Sequence, residues 1–333
     1  MSTTKKVLRI LGGVVVALLL LIAAAGYVWG PTLTAQMTGQ ARFFGTDTPK
    51  RYANTVLDLS ESMGIYGDSE KFAAARAEVE EATEYARHKY ELIEPLNAAV
   101  HAAGGKHSKL FYEEANQDDD APSAQVGVET TDGIALATVP GIGRHDDVQG
   151  YADTLSRGLI EARDAGACGA IVDLRGNDGG DMGPMVAGLS PLLPDGTALE
   201  FVSRMNTTQV TVDGNAVRGG GTPLETAGGK WETPTAVLVD DTTASSGEAT
   251  MLAFRGLDNS RSFGTPTAGF ASANTVYDFP DGSVLMLTIA KDKARTGEEF
   301  AEDPIQPDST TATADEALDE AKAWLREQHG CGA

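Results

Sequence analysis

The chain has 333 residues, 41% of them hydrophobic, which is enough to bury a sizeable core in more than one lobe. Acidic residues number 48 against 26 basic ones, for a formal charge of −22. A body so acidic repels nucleic acid and anionic lipid and steers cationic molecules toward itself, although such acidity also serves plain solubility.

In chain order, the first predicted element is a twenty-residue stretch without a charge, Ile10 to Trp29, long enough to cross a hydrocarbon core of about 30 Å. Lys5, Lys6 and Arg9 precede it and no charge follows until Arg42, so the basic flank places the N-terminus in the cytoplasm and the body outside. A cleavable signal peptide is the rival, since Ala23-Ala24-Ala25 offers small residues. The length of the apolar run favours a retained single-pass anchor at residues 1–30 in the cell membrane. Residues 31–47 are expected to form a Gly/Thr-rich linker and residues 48–115 a helical lobe. There Phe72, Ala75, Val79, Thr83 and Ala86 recur at the spacing of one buried helical face.

The acidic run between Asn116 and Ala124 lacks EF-hand spacing, so a solvated loop is expected there and no metal site. Short strands then begin, Gln125–Thr130 and Ile134–Val139, followed by a helix with Tyr151, Leu155 and Leu159 on one side. Residues 198–232 form a polar hairpin turning at Asp213-Gly214-Asn215, placed to cap a cleft, and Asp281-Gly282 turns a second hairpin. A terminal amphipathic helix runs from Ala314 to Gln328, within a C-terminal segment 311–333. Cys168 precedes an apolar strand and Cys331 sits near the end, so no disulfide framework is expected, and neither lies in a nucleophile-like motif.

Two segments carry the chemistry. Thr235–Val239 reads as a buried strand, and Ala249–Leu257 as a helix. Between them, Thr242-Thr243-Ala244-Ser245-Ser246-Gly247-Glu248 is a strand-to-helix turn. A hydroxyl there stands beside the first free N–H groups of a helix, as an acyl-transfer nucleophile requires. Ser245-x-x-Glu248 is equally a capping box that needs no chemistry. The second segment, Ala170–Leu174, runs into Arg175-Gly176-Asn177-Asp178-Gly179-Gly180, whose paired glycines let a ligand approach the main chain. No Gly-x-Ser-x-Gly elbow of an α/β-hydrolase occurs.

Together these segments resemble the tail-specific (C-terminal processing) serine peptidases and their tricorn-core relatives. Gly264-Thr265-Pro266-Thr267 and Glu302-Asp303-Pro304-Ile305-Gln306-Pro307-Asp308 extend the resemblance over residues 125–310. It implies an α/β (α+β) fold: a crotonase-like, tricorn-type peptidase core with an N-terminal helical lobe and a hairpin cap. It also implies Ser245 as nucleophile, an oxyanion hole from the N–H groups of Ser246 and of Gly179 or Gly180, and Glu302 at an acidic position near the cleft. Glu248 either orients the catalytic pair or completes the cap. No cofactor or metal is implied, and no room remains for an inserted PDZ module.

The chain departs from the bacterial pattern at one place, because Phe270 occupies the position of the family's basic lysine. Histidine is the natural substitute, as its pKa of about 6.5 suits proton transfer near neutrality. Of His88, His101, His107, His145 and His329, His107 stands in Gly104-Gly105-Lys106-His107-Ser108. That context is similar to the nisin resistance branch of the family, which is membrane-anchored and uses a Ser/His dyad; Gly64-Ile65-Tyr66 fits the same branch. His101 is the fallback. This resemblance implies cleavage of a peptide near its C-terminus, the substrate being a cationic lanthionine peptide or the tail of a membrane or secreted protein. The alternative is a non-catalytic peptide- or lipophile-binding protein on the same fold.

Overall fold

The computed structural model describes residues 3–112, 125–143 and 145–331, with the backbone alone for 3–10 and 314. The acidic run 116–124 lies outside them. The chain divides into two units, residues 1–117 with 274–289 and residues 118–273 with 290–333.

The first unit begins with α1 (Thr3–Thr38), α2 (Pro49–Met63), α3 (Glu70–Thr83), α4 (Ile93–Gly104) and β1 (Lys109–Tyr112). Residues 11–38 make a stretch of α1 long and apolar enough to span a membrane. The helix does not stop at residue 30. It continues through the segment read as linker to Thr38, across Pro31. Proline has no N–H to give the carbonyl four residues back. The freed Tyr27 carbonyl accepts instead from Arg51 Nη2 at 2.5 Å, and the guanidinium lies 3.7 Å from the Tyr27 ring centroid. Ala35 and Ala41 then pack with Tyr52, Leu57, Phe72, Val79, Leu96 and Val100 in this unit's core. Thr48 and Ser69 cap α2 and α3 through their side chains.

The second unit continues with β2 (Gly127–Thr131), β3 (Ile134–Thr138), α5 (Val148–Asp164), β4 (Gly169–Asp173), α6 (Met182–Gly188), β5 (Gly196–Ser203), β6 (Thr207–Asp213), β7 (Ala216–Arg218), β8 (Leu224–Glu225), β9 (Thr235–Val239), α7 (Ser246–Phe254) and β10 (Ser260–Gly264). The hairpin of β11 (Ser272–Asp278) and β12 (Ser283–Ala294) passes through the first unit and returns. β13 (Glu299–Phe300), β14 (Ser309–Thr310) and α8 (Ala314–His329) close the chain. Within the first unit β12 pairs with β1, and within the second its later residues pair with β5 and β13.

The second unit's main sheet has the order β14-β10-β9-β4-β3-β2, parallel except for the edge strand β2. Its central strands are apolar on both faces because helices cover both. Ala170, Val172, Val237 and Val239 face the cluster containing α5, α6 and α7 residues, whereas Ile171, Ala236 and Leu238 pack on Ala317, Ala321, Trp324 and Leu325 of α8. β4 and β9 are parallel neighbours, with Asp173 beside Leu238. Their following loops therefore emerge at the same edge of the sheet, and these are the two loops that the sequence marks.

One expectation fails. Cys168 and Cys331 form a disulfide, with Cα atoms 5.4 Å apart across 163 residues of sequence. The pairing depends on docking: Gly330 takes a left-handed conformation after α8, Cys331 N donates to Leu325 O, and Gly169 leaves room for Leu325 and the Cys331 sulfur. Cysteine spacing contains none of this. Closing so long a loop removes much unfolded-state freedom, so Cys331→Ser is expected to lower stability by about 2–5 kcal/mol. Calorimetry with and without a reductant checks it, and a reductant-insensitive melting temperature would mean the thiols are free.

Candidate active site

The loop after β9 is held by side chains. Asp240 accepts from the N–H groups of Gly176, Thr242 and Thr243, and Thr243 Oγ1 donates to Leu174 O at 2.9 Å. Ala244 N donates to Asn177 O at 2.9 Å. The β4 and β9 loops are thus stitched together before Ser245 is reached.

Ser245 then has φ 53° and ψ −116°. Only Asp132 shares a positive φ among the described non-glycine residues. Such a conformation costs on the order of 1–3 kcal/mol and persists only where surroundings impose it. Glu248, fully buried, imposes it here. Its Oε2 accepts from Ser245 N at 2.9 Å and Phe270 N at 2.7 Å, while Oε1 accepts from Gly269 N at 2.9 Å and from the Thr267 hydroxyl. Burial pushes this carboxyl up from its ordinary value against the pull of those donors. Phe270, which cannot serve as a base, thereby retains a backbone role.

The glycine pair lies against this turn. A Cβ on Gly179 would stand 2.9 Å from Ser245 Cβ and 3.3 Å from Ser246 N, and Gly179 and Gly180 have φ of 112° and 107°. Gly179 N is already given to Asn177 Oδ1 at 2.9 Å, and Asn177 Nδ2 to Val139 O at 2.8 Å. Among the described residues the N–H groups of Gly180 and Ser246 have no partner, while Ser246 Oγ ties the loops by donating to Gly180 O at 2.7 Å. Ile142 bridges Gly180 from the neighbouring segment, which also lines a cavity of about 530 Å³ bordered by Asp146, Asp147 and Tyr151. The Glu302 segment comes to the same side: the backbone of residues 302–304 packs on Gly269, and Ile305 N donates to Thr267 Oγ1.

Ser245, Ser246, Gly179, Gly180, Glu248 and Glu302 all belong to the second unit, and His107 to the first. His107 sits on the turn after α4, which Gly105 opens at φ 76°. The buried Ser108 locks that turn, its hydroxyl accepting from Thr288 N at 2.8 Å and donating to Thr288 Oγ1. Burial, then Lys109 and Lys106, push the imidazole down to about 4. It is the one histidine of five that is not exposed, His101 included. Asp292, invisible as a site residue in sequence, is buried on β12 with Oδ1 unpartnered, and burial beside Glu248 raises it well above the usual carboxylate range.

The profile of peptidase family S41 matches residues 137–311, more than half of the chain. The chain belongs to peptidase family S41. Over 325 residues this S41 peptidase is 33% identical to the nisin-resistance protein of Lactococcus lactis subsp. lactis, covering 96% of this chain and 98% of that one. A carboxy-terminal processing protease of Bacillus subtilis (strain 168) is 29% identical over 164 residues, 48% of this chain and 33% of that one. Among solved structures, a lipoprotein from Streptococcus agalactiae superposes with a TM-score of 0.73 at 28% identity, covering 86% of this chain and 99% of that one. A photosystem II D1 C-terminal processing protease shares the fold at TM-score 0.57 and 13% identity, covering 86% and 100%. The mixed α/β core with N-terminal helices is thus that of the family, and the chain is a serine-type peptidase.

Proposed function

We propose that this S41 peptidase uses Ser245 as nucleophile and His107 as its general base, and that it cleaves peptides near their C-terminus outside the cell. The observation that carries the reading is the strained Ser245 elbow, set beside two unpartnered N–H groups on a turn fixed by Glu248. His107 takes the hydroxyl proton as Ser245 Oγ attacks the scissile carbonyl. The N–H groups of Ser246 and Gly180 receive the oxyanion, with Gly179 giving the space and Asn177 holding the loop. The protonated His107 then gives its proton to the leaving amine, and water releases the acyl group by the reverse sequence. Glu248 orients the turn rather than exchanging protons. Glu302 borders the cleft through the segment packed on Gly269.

Helix α1 supplies the single-pass anchor. The preceding Lys5, Lys6 and Arg9 support an outside body, and so does the disulfide, because disulfides persist in oxidising compartments. A cationic lanthionine antimicrobial peptide is the proposed substrate. The likeness to the nisin-resistance protein and the acidic border of Asp146 and Asp147 support it.

The test incubates wild type, His107→Ala and Ser245→Ala with a cationic lanthionine peptide and a linear peptide library, with products read by mass spectrometry. Cleavage surviving His107→Ala would sink the base assignment. The lowered imidazole also fixes a pH profile. A neutral base persists below its usual range, so kcat/KM is expected to stay level from pH 8 to about 6 and to fall through about 4. A profile that already halves near pH 6.5 would mean that the base titrates as an ordinary exposed histidine.

A further inference from the structure

The outer end of α1 carries an apolar face that nothing in its own unit covers. Residues 11–38 form 28 helical residues, about 42 Å at 1.5 Å per residue, against a hydrocarbon core of about 30 Å. The excess is docked on one side only. Pro31 and Ala35 are buried, whereas Trp29, Leu33 and Met37 are 57%, 54% and 83% exposed and recur every fourth residue along one stripe. The loop that follows adds Phe44 at 60% exposure.

The same stretch reverses the charge of the chain. Between Tyr27 and Arg51 there are three basic residues, Arg42, Lys50 and Arg51, and one acidic, Asp47, in a protein whose formal charge is −22. Arg42 and Lys50 are exposed. Arg51 is committed to the backbone, bonding the carbonyls of Tyr27, Phe44 and Thr46, so it ties this loop to the helix. Aromatic and aliphatic groups interleaved with exposed cations, continuous with an apolar helix, have the composition of an interfacial membrane contact. A soluble protein partner would not require continuity with the span, and the charge suits anionic headgroups.

We propose that this face of the first unit, formed by Trp29, Leu33, Met37 and Phe44 with Arg42 and Lys50, rests in the headgroup layer of the outer leaflet. The proposal rests on the reading of α1 as a membrane anchor. The unit that carries His107 is then held rigidly at the lipid surface instead of swinging on a flexible tether, which favours peptides already adsorbed to that surface. The overall acidity of the chain describes its solvent-facing surface and not this patch.

Both native cysteines are paired, so an introduced thiol is the only free one. The full chain carrying Leu19→Cys, Met37→Cys or Phe44→Cys is labelled with an environment-sensitive fluorophore. It is then reconstituted into phosphatidylcholine vesicles with or without phosphatidylglycerol, with quenchers on the acyl chains or near the headgroups. All three sites are exposed in the protein, so folding is not at stake. The expected result is acyl-chain quenching at position 19 and strong headgroup-level quenching at positions 37 and 44. Quenching at 44 should fall severalfold in Arg42→Glu/Lys50→Glu, in the anionic vesicles only. Quenching at 19 with fully aqueous labels at 37 and 44 overturns the surface contact while leaving the anchor intact. Disulfide-linked dimers of unlabelled Met37→Cys under a mild oxidant, with no quenching of the labelled protein, overturn it in favour of a second copy. An unquenched position 19 defeats the anchor reading itself.

Discussion

Ser245→Ala is expected to lower kcat/KM by about 10⁴–10⁶, with substrate binding little changed, because under the proposed Ser245/His107 mechanism a nucleophile and its base act as a unit. The same position yields an independent measurement. Ser245 holds φ 53°, a region open to glycine and costly to a residue with a Cβ. Ser245→Gly is therefore expected to be as inactive as the alanine variant and yet more stable than wild type by about 1 kcal/mol, in denaturant unfolding at pH 7. Alanine relieves none of the strain and should show no such gain. The pair separates two explanations of the turn. If glycine stabilises and both variants are dead, the strain is held in place for chemistry. If glycine destabilises, the conformation is simply the one the fold prefers, and the elbow loses its functional argument.

The strand-turn-helix around Ser245 was legible because its signals are local: an apolar run, small polar residues, a Glu three positions on and a helical stretch. The glycine pair was legible for the same reason, although only the structure divides its roles, committing Gly179 N–H to Asn177 and leaving Gly180 N–H unpartnered. What sequence missed depends on packing between distant segments. Phe270 was read by its side chain, which cannot take a proton, whereas its backbone N–H is one of four donors on Glu248. Asp292 stands between Lys291 and Lys293, a pattern that looks solvated. In β12, however, Ala290, Asp292 and Ala294 alternate inward while the lysines are partly exposed, so the carboxyl is buried. The Cys168–Cys331 bond needs α8 to dock across the sheet, and α1 runs on to Thr38 because Arg51, far along the chain, caps the carbonyl that Pro31 frees.

Glu248→Gln is the second change expected to have a large effect, although it removes no atom from the packing. Both carboxylate oxygens of Glu248 accept two donors each: Ser245 N and Phe270 N on one, Gly269 N and the Thr267 hydroxyl on the other. An amide can be turned either way, but its NH₂ must then confront two donors in a buried site. Only the hydroxyl of Thr267 could rotate to accept. At least one backbone N–H is left unsatisfied in either orientation, which costs about 2–5 kcal/mol of stability. The unsatisfied group lies on the Ser245 turn or on the 267–270 segment braced against it. A displacement there of about 1 Å costs on the order of 10² in kcat. Asp292 shapes the same measurement. Its folded pKa and that of Glu248 lie above their unfolded values, so the native state binds protons more tightly and loses stability as pH rises through those folded values. Asp292→Asn keeps the shape and removes that titration. It should flatten the decline of stability that sets in as pH rises above the ordinary carboxylate range, and leave kcat at neutral pH near that of wild type. If Glu248→Gln unfolds at wild-type denaturant concentration and keeps full activity, the turn is held by Asp240, Thr243 and Asn177 alone. Glu248 would then be a helix cap and nothing more.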